Sequence, residues 1–418
     1  MSFEVYKFGG ASVSTADGVR NLISILNKST SKDIIIVVSA MGKITNALER
    51  VVATYFESKE LCVEAIQPVI EYHFSLAEDL FENHATPVFK KLQRLFEELN
   101  GFLNRNKSPD YDFVYDQVVS YGELLSTTIV NAYLSENGYA SVWHDVREYI
   151  KTDATYREGK VNWELTMQNL STGLPKSGIH LMQGFIGSEA NGFTTTLGRE
   201  GSDYTAAIIA YCLNAKAVTI WKDVPGVLSA DPRYFDHAVL LRFISYQEAI
   251  ELAFYGASVI HPKTLQPLQR KEIPLFVKSF NDPDAPGTQV SLGQAIEPEV
   301  PCYILKTNQV LLELASLDFS FMAEENIGEI FKLLGIYKMK VDLIQNSAIS
   351  FSVCVDNKFK NLEVLVAKLR ADFKVTVHQN VNLYTLRHAT AESIEILELN
   401  KEILLKQVAQ NTVQLVTL

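Results

Sequence analysis

The amino-terminal segment constrains the fold more than any other part of the chain. Residues 3–8 form a short apolar segment that runs into Gly9 and Gly10, a stretch with apolar residues at helical spacing follows, and residues 34–38 are a β-branched run. A strand, a helix and an uninterrupted apolar strand are typical of a βαβ unit, whose parallel strands are buried on both faces. The sequence therefore predicts an α/β domain with an open, mainly parallel sheet between helices and right-handed crossovers.

The same alternation continues along the chain. Helical segments separate strand-like apolar runs at residues 140–145, 180–187, 217–224 and 274–280. Residues 46–107 are predicted to be helical. This helical insertion between sheet strands either covers a sheet edge or forms a flap over a substrate pocket. We expect residues 113–133 to form one long helix that carries Glu123.

A proline-rich segment is the best candidate for a domain boundary. Residues 281–301 contain four of the thirteen prolines. After them, short strands and helices in βαββαβ order are typical of a ferredoxin-like α+β unit. The predicted divisions are 1–293 for the first domain, 300–418 for the second, about 308–378 for its first ferredoxin-like unit, and 300–307 with 379–418 for a shortened second unit.

Charge and cysteine content exclude several classes of function. Lys and Arg number 38 against 49 Asp and Glu, a formal charge of −11, which argues against broad nucleic-acid binding but allows a local basic pocket for a phosphate. Neither the four cysteines nor the eight histidines show metal-ligand spacing, so we expect reduced thiols and isolated histidines. No signal-peptide pattern and no apolar run near the ~20 residues of a membrane span is present, so we expect a cytoplasmic protein with no membrane partner.

Lys7, Gly9, Gly10 and Ser12 form the first motif that could carry chemistry. The two glycines end the first strand and precede the first helix, so backbone N–H groups can approach an anion closely there. The helix N-terminus adds partial positive charge, and Lys7 adds a full one. This arrangement predicts a phosphate cradle, although a plain tight turn has the same glycines, and neither GxxxxGK[ST] nor GxGxxG is present.

A second glycine-bearing turn follows another strand-like run, at residues 196–206. It contains Arg199, whose guanidinium can hold a carboxylate in a bidentate fork, and Ser202, which could bind a substrate. Asp203 could serve the site or could simply cap the helix that starts here. Two such turns in one domain suggest two anion sites that face one pocket.

The third motif, residues 221–233, is a strand end followed by two turns that contain proline. Asp223 and Arg233 are the polar groups that this loop could direct at a nucleotide. An ordinary surface turn fits the same residues.

Together these motifs resemble the aspartate kinases of the amino-acid kinase superfamily. The resemblance rests on KFGGAS, VSAMGKITNAL, GELLS, LGREGSDYTAA, WKDVPGVLSADPR and ASVIHPKTLQPL, which stand in the family's order and spacing over nearly the whole chain. It implies the amino-acid kinase fold followed by regulatory ACT domains. It also implies phosphorylation of the side-chain carboxylate of L-aspartate with ATP and Mg²⁺, which gives 4-phospho-L-aspartate in the first step of lysine, threonine and methionine biosynthesis.

The resemblance also implies roles for particular residues. The catalytic residues would be Lys7, Arg199 and Asp203. The aspartate-binding residues would be Ser39, Thr45, Glu123, Arg199 and Ser202. The nucleotide-binding residues would be Lys7, Gly9, Gly10, Ser12, Asp223, Leu228, Asp231, Arg233 and Lys263. Within these sets Glu123 would pair with the substrate ammonium and Arg199 with a substrate carboxylate, while the sequence singles out no direct Mg²⁺ ligand.

Two positions depart from the family pattern. Glu200 stands where the family often has glycine, and its carboxylate adds negative charge near the phosphates unless it points to solvent. Ser258 stands where many members have a lysine that reaches the nucleotide, and Lys263 is a candidate replacement. Both departures leave Lys7 and Asp203 in place.

The carboxy-terminal region resembles paired ACT domains, which bind amino acids such as lysine or threonine. The residues that match the effector pocket are Met322, Asp342, Gln345, Asn346 and Ser347. The loop before the first ACT helix lacks the family's glycine, and Ala348 stands at a frequently acidic position, so the effector stays open between lysine, threonine and none. We expect a homodimer through the ACT domains.

The sequence leaves three functions to compare. The first is a monofunctional aspartate kinase, without a fused homoserine dehydrogenase. The second is an amino-acid kinase with another acceptor, such as glutamate, acetylglutamate or carbamate, although GELLS and the ACT-like region favour aspartate. The third is a catalytically silent amino-acid sensor that uses the kinase fold as a scaffold.

Overall fold

The chain divides into two compact units. The computed structural model describes residues 2–83, 85–257, 260–293, 295–318 and 320–418. The first unit comprises the residues up to Val227 with Leu240–Ile250 and Val259–Glu297, and the second comprises Leu228–Val239, Glu251–Ser258 and Pro298–Leu418. The main division after residue 297 lies between the predicted bounds of 293 and 300, whereas two shorter segments of the predicted first domain group with the second unit.

Short strands and longer helices build the first unit. Its strands are β1 (Glu4–Phe8), β2 (Ile34–Val38), β3 (Ser141–His144), β4 (Ile179–Gln183), β5 (Ile186–Ser188), β6 (Thr194–Thr196), β7 (Ala217–Lys222), β8 (Phe243–Ser245), β9 (Leu275–Ser279) and β10 (Thr288–Ser291). Its helices are α1 (Ala16–Lys28), α2 (Ile44–Glu57), α3 (Cys62–Leu80), α4 (Pro87–Arg105), α5 (Tyr111–Val119), α6 (Tyr121–Glu136), α7 (Val146–Tyr149), α8 (Trp163–Gly173), α9 (Gly201–Leu213), α10 (Tyr246–Tyr255) and α11 (Pro262–Arg270). None of the described helices combines the length and apolar character needed to cross a membrane.

The main sheet has the predicted mainly parallel arrangement. Its strand order is β3-β4-β2-β1-β7-β9-β10-β8, and the described neighbours are parallel except β9 and β10. The β-branched strand β2 is buried along its whole length and contacts both α6 and α9. Burial of this kind explains why β2 has no polar alternation. The prediction of an open parallel sheet covered by helices is therefore confirmed.

The carboxyl ends of four adjacent parallel strands, β4, β2, β1 and β7, lie at one edge of this sheet. Register pairs Phe8 with both Val38 and Trp221. The residues that follow these strands are Gly9 and Gly10, Ser39 and Ala40, Gly184, and Asp223. This edge therefore brings together the loops that contain the predicted motifs, at the end of a parallel sheet where ligands commonly bind.

The prediction of one long helix at residues 113–133 is wrong, because the chain breaks there into α5 and α6. Ser120 lies between the two helices, and its hydroxyl donates to the Gln117 carbonyl. Such a side-chain bond competes with continuation of the helix. After this break, Asp116 on α5 accepts from Thr196 of β6, whereas Glu123 on α6 accepts from Ala40 in the loop that follows β2.

Two histidines that were expected to be isolated are in contact. His144 on β3 and His180 on β4 place Nε2 and Nδ1 3.0 Å apart. Burial, together with the neighbouring imidazole, lowers the pKa of His144 to about 4, so this ring is neutral near pH 7. Within the described part of the chain, no group of three or more His, Cys, Asp or Glu is placed to hold a metal ion.

An antiparallel sheet forms the second unit. Its elements are β11 (Cys302–Ser316), α12 (Glu324–Ile336), β12 (Lys340–Asn346), β13 (Ser350–Asp356), α13 (Leu362–Leu369), β14 (Phe373–Arg387), α14 (Ala391–Glu398), β15 (Ile403–Ala409) and β16 (Thr412–Thr417). The strand order is β12-β13-β11-β14-β16-β15. The elements from β11 to β14 follow the predicted ferredoxin-like βαββαβ order.

The long strands β11 and β14 join both predicted ferredoxin-like units into one sheet. Their pairing runs from Cys302 opposite Arg387 to Ser316 opposite Phe373, with a shift in register near Gln309. β14 is continuous over fifteen residues, and α14 ends at Glu398 before β15 begins at Ile403.

Candidate active site

Lys7 and Asp203, from the first two motifs, form an ion pair at the carboxyl end of the sheet. Lys7 Nζ lies 2.7 Å from Asp203 Oδ1, and both side chains are almost fully buried. Lys222, the last residue of β7, places its Nζ 3.1 Å from Asp203 Oδ2. Burial alone would raise the pKa of Asp203, but the two ammonium groups more than offset it and hold that pKa below its ordinary value. Asp203 therefore orients two cations, and it is not the N-cap of α9.

The Gly-Gly turn brings backbone close to this ion pair. A Cβ on Gly9 would lie 3.6 Å from Lys7 Nζ, so the ammonium group sits against the turn. A Cβ on Gly10 would lie 2.4 Å from the Ala40 carbonyl oxygen, which leaves room for glycine alone where the two loops meet. The buried hydroxyl of Ser12 lies 3.5 Å from a carbonyl oxygen of β7. These contacts explain the two glycines, and the role of the turn as a phosphate cradle stays a prediction.

Glu123 is a fully buried carboxylate next to the loop that follows β2. Its Oε1 accepts a hydrogen bond from the Ala40 N–H at 3.1 Å, whereas its buried Oε2 accepts none from the described residues. Burial raises the pKa of Glu123 to about 8, and the Ala40 N–H and the Lys7 ammonium act in the opposite direction. A buried oxygen without a donor is suited to receive an ammonium group from a ligand.

Gly184 brings the loops that carry Ser39 and Ser202 together. A Cβ on Gly184 would lie 2.4 Å from the Ser202 Cβ, and the Gly184 N–H donates to the Val38 carbonyl at 2.9 Å. The Ser126 hydroxyl donates to the Ser39 carbonyl at 2.7 Å, which fixes the same loop from α6. The remaining predicted substrate residue of this group, Thr45, is half-buried in the first turn of α2.

Gly184→Ala is expected to destabilise the first unit by about 1–3 kcal/mol, because the added methyl group cannot fit without moving the start of α9. Urea denaturation followed by tryptophan fluorescence measures this, since Trp143, Trp163 and Trp221 all lie in the first unit. Gly101→Ala is the control within the same unit, because a Cβ there would meet only the flexible end of the Arg105 side chain within 4 Å. Equal midpoints for both variants would refute the tight contact at Gly184.

Arg199 and Glu200 form the turn that leads into α9. Arg199 is exposed, and its side chain makes no hydrogen bond within the described part of the chain, so its guanidinium is available to a ligand carboxylate. Glu200 has a left-handed backbone with φ of +52°. Its Oε2 is buried and accepts no hydrogen bond from the described residues, so its carboxyl group points inward and not to solvent. The other departure, Ser258, lies outside the described residues.

Asp116 supports the strand that precedes this turn. Its carboxylate accepts from the N–H and the hydroxyl of Thr196, both at 2.8 Å, and from the Arg157 N–H at 2.9 Å. Burial raises the pKa of Asp116 to about 6, although these hydrogen bonds act in the other direction. Because Thr196 ends β6 three residues before Arg199, Asp116 fixes the base of the Arg199 turn.

The residues predicted to bind the nucleotide fall in both units. Asp223 is exposed directly after β7, and Lys263 is half-buried in the first turn of α11, both in the first unit. Leu228, Asp231 and Arg233 belong to the second unit, where Arg233 pairs with Asp231 at 2.6 Å. The role of these five residues toward a nucleotide stays a prediction.

The residues predicted to bind an effector lie on and near β12. Asp342 is buried and accepts from Lys306 Nζ at 2.8 Å. The Met322 N–H donates to the Ala348 carbonyl at 2.8 Å, which brings the start of α12 to the loop after β12. The other three residues are exposed: Gln345, Asn346 and Ser347. Their role as an effector pocket also stays a prediction.

Sequence reasoning did not single out Lys222, Gly184 or Asp116. Lys222 had a usable signal, because it directly precedes Asp223 at the end of a predicted strand. A strand neighbouring β1 would place that ammonium group beside Lys7. Gly184 and Asp116 had weaker signals. Gly184 is a glycine within a strand-like run, and Asp116 is a single acidic residue in a mainly apolar helical segment.

Two lysines on Asp203 beside a Gly-Gly turn, and an arginine that makes no side-chain hydrogen bond with the described residues, suit phosphoryl transfer. Residues 2–279 match the profile of the Amino acid kinase family. The chain therefore belongs to the amino acid kinase family, which confirms the class that the motifs indicated.

Within this family the chain is similar to aspartokinases. It is 36% identical over 358 residues to lysine-sensitive aspartokinase 3 of Escherichia coli strain K12, which covers 84% of this chain and 78% of the relative. The structure of E. coli aspartokinase III with lysine and aspartate superposes with a TM-score of 0.84 at 31% identity, covering 99% of this chain and 95% of that one. The structure of the same enzyme with aspartate and ADP superposes with a TM-score of 0.80 at 30% identity, covering 99% of this chain and 96% of that one. The chain spans less than half the length of several bifunctional aspartokinase/homoserine dehydrogenases that it also matches.

Proposed function

We propose that this chain transfers the γ-phosphoryl group of ATP to the side-chain carboxylate of L-aspartate, which gives 4-phospho-L-aspartate and ADP. The observation that carries this function is the 2.7 Å contact between Lys7 and Asp203. It joins a turn suited to phosphate with a turn suited to a carboxylate, so the two reactants would meet end to end. Similarity to aspartokinases, one of which was solved with aspartate and ADP, supports the same reaction.

The charged groups of aspartate would hold it at the site. Glu123 Oε2, which is buried and accepts no hydrogen bond from the described residues, would receive the substrate ammonium. The exposed guanidinium of Arg199 would form a bidentate pair with the α-carboxylate. Ser39, Thr45 and Ser202 would border the same space. This orientation leaves the side-chain carboxylate directed at the phosphate cradle.

The reaction needs positioning and charge neutralisation more than proton transfer. The aspartate carboxylate is already a nucleophile: its oxygen forms a bond to the γ-phosphorus as the bond from that phosphorus to the β-phosphate oxygen breaks, and no proton moves. Lys7 and the backbone N–H groups of the Gly-Gly turn would stabilise the charge on the transferring group. Asp203 keeps Lys7 in place.

Mg²⁺ would be held chiefly by the phosphate oxygens of ATP. Among the described residues no cluster of three or more ligands is suited to hold a metal ion by itself, and Mg²⁺ commonly binds through substrate phosphates and one or two carboxylates. Bound Mg²⁺ would supply further neutralisation of phosphate charge.

The KM for aspartate is expected to fall about tenfold per pH unit up to about pH 8 and then to level off. Burial gives Glu123 a pKa of about 8, and only the ionised form pairs with an ammonium group. Below that pH, substrate binding must therefore include loss of a proton from Glu123. Steady-state kinetics between pH 6 and 9 measure the slope. Glu123→Gln should bind aspartate weakly without this slope, and an unchanged slope in that variant would assign the titration to another group.

Aspartate-dependent release of ADP tests the proposed function. We expect turnover with L-aspartate and little with glutamate, acetylglutamate or carbamate at equal concentration. Preference for one of those acceptors would assign a different amino-acid kinase activity. Binding of Mg-ATP without turnover on any acceptor would favour the silent sensor.

We also propose that the second unit senses an amino acid and pairs two copies of the chain. Lysine is the favoured effector, since a similar structure was solved with lysine bound, with threonine as the alternative. Exposed apolar side chains on α12, Phe331 and Ile336, offer a surface for a second copy. ADP release with added lysine or threonine tests the effector, and light scattering coupled to gel filtration tests the homodimer.

A further inference from the structure

Two charged residues to which the resemblance assigns no role, Lys222 and Glu200, lie near Asp203. Lys222 ends β7 with its Nζ 3.1 Å from Asp203 Oδ2, and its side chain is 18% exposed. Glu200 begins the turn into α9 with its Oε2 buried. Burial raises the pKa of Glu200, and Lys222 is the charge that most strongly opposes this rise. Burial acts to lower the pKa of Lys222, but Asp203 and Glu200 raise it above its ordinary value. The Glu200 carboxylate and this lysine therefore lie within electrostatic range of each other.

We propose that Lys222 is a second phosphate-binding ammonium group of the transfer site and that Glu200 is its counter-charge. Lys222 would act in the phosphoryl transfer proposed above, and its role rests on that function. In the absence of nucleotide, Asp203 and Glu200 balance the two lysines. When a triphosphate arrives, Lys222 would turn from these carboxylates toward the terminal phosphate.

The charge balance of the cluster supports this role. Lys7 and Asp203 neutralise each other across 2.7 Å. Arg199 also acts on Glu200, but in the function proposed above it pairs with the α-carboxylate of aspartate. Without Lys222, Glu200 would then leave a net negative charge where a triphosphate must bind. Lys222 removes that excess. Because the site is buried, an uncompensated charge there would repel phosphate much more strongly than one in water. A chain that keeps Glu200 at this position therefore needs a second ammonium group nearby.

The position of Lys222 favours it over Lys263 as that group. Lys222 lies on the strand directly beside β1, since Trp221 pairs with Phe8 in the sheet register. Its ammonium group already shares a carboxylate with Lys7. Lys263 lies on α11, where its N–H donates to the His261 ring, and within the described ranges no ion pair links its side chain to Asp203.

The backbone at Glu200 supports a function for its carboxylate. A φ of +52° suits glycine, and a glutamate there stores about 1–3 kcal/mol of strain. Glycine would remove that strain, yet this chain has a side chain whose carboxyl group is directed inward. Balancing Lys222 is a use for that carboxyl group that the geometry supplies.

Calorimetric titration with Mg²⁺ and the non-hydrolysable β,γ-imido analogue of ATP tests the role of Lys222. Lys222→Met should weaken binding of the analogue at least tenfold and binding of ADP less, because ADP lacks the terminal phosphate. Lys28→Met is the matched control: Lys28 forms an exposed pair with Asp284, and its loss should leave both affinities unchanged. Unchanged affinity in Lys222→Met, with a tenfold loss in Lys263→Met, would overturn the assignment in favour of Lys263.

Glu200→Gly supplies a test that does not depend on the folding of Lys222→Met. Loss of the counter-charge should tighten binding of the analogue several-fold. In the double variant that carries both Glu200→Gly and Lys222→Met, Lys222→Met should reduce the affinity for the analogue by a smaller factor than it does alone. If Glu200→Gly bound the analogue with the same affinity as the unaltered chain, Glu200 would not act as the counter-charge of Lys222. These measurements need no acceptor, so a chain that binds the analogue through Lys222 but makes no acyl phosphate would refute the proposed function and leave the role of Lys222 standing.

Discussion

Lys7→Ala is expected to lower kcat for aspartate-dependent ADP release by about 10²–10³-fold, the usual effect of removing one preorganised donor from a transition state. The Lys7 ammonium is buried, sits against the Gly-Gly turn and is held by Asp203 at 2.7 Å. It is thus fixed before the charge on the transferring phosphoryl group develops. Because Lys222 still neutralises Asp203, the variant should fold.

Lys28→Ala is the control for this variant. Lys28 pairs with Asp284 at 2.6 Å on the exposed surface of the same unit. Like Lys7 it is a lysine paired with an aspartate, but it lies outside the candidate active site. Its kcat should equal that of the unaltered chain. A folded Lys7→Ala variant with kcat within threefold of the control would mean that Lys7 takes no part in phosphoryl transfer.

Asp203→Asn is expected to reduce both activity and stability. The substitution leaves two buried ammonium groups without their shared carboxylate, and breaking a buried ion pair commonly costs about 3–5 kcal/mol. Activity should fall at least as far as in Lys7→Ala, because both lysines lose the group that orients them. Urea denaturation followed by tryptophan fluorescence gives the free energy of unfolding of the first unit, and ADP release gives kcat.

Asp284→Asn provides the corresponding control, since an exposed ion pair contributes about 0–1 kcal/mol. Its unfolding midpoint and kcat should both stay close to those of the unaltered chain. If Asp203→Asn unfolded at the same urea concentration as Asp284→Asn, Asp203 would not be the shared partner of the two lysines.

Local patterns were enough to predict the frame of the first unit. The β-branched run of β2 can be buried on both faces only between helices, and this alone indicated a parallel sheet. The second glycine-bearing turn follows β6, which pairs antiparallel with β5 outside the main sheet. The order of the parallel strands therefore does not explain why Asp203 meets Lys7.

The rest depended on register and on contacts distant in sequence. Lys222 neighbours Lys7 only because β7 pairs with β1, and no local pattern states which strands pair. Position 184 requires glycine because a Cβ there would collide with Ser202. Asp116 supports the site because its carboxylate accepts a hydrogen bond from Thr196, 80 residues away in the sequence. The end of α5 at Ser120 depends on one hydroxyl bond, which helical periodicity does not reveal.

Identification of the product tests the central claim most directly. The chain would be incubated with Mg-ATP, L-aspartate and hydroxylamine, which converts an acyl phosphate to a hydroxamate that mass spectrometry identifies. We expect the β-hydroxamate of aspartate in amounts equal to the ADP released, and at least about a hundredfold less with Lys7→Ala over the same interval. ADP release without hydroxamate, or hydroxamate on the α-carboxylate, would contradict transfer to the side-chain carboxylate of an aspartate whose ammonium group is held by Glu123 and whose α-carboxylate is held by Arg199.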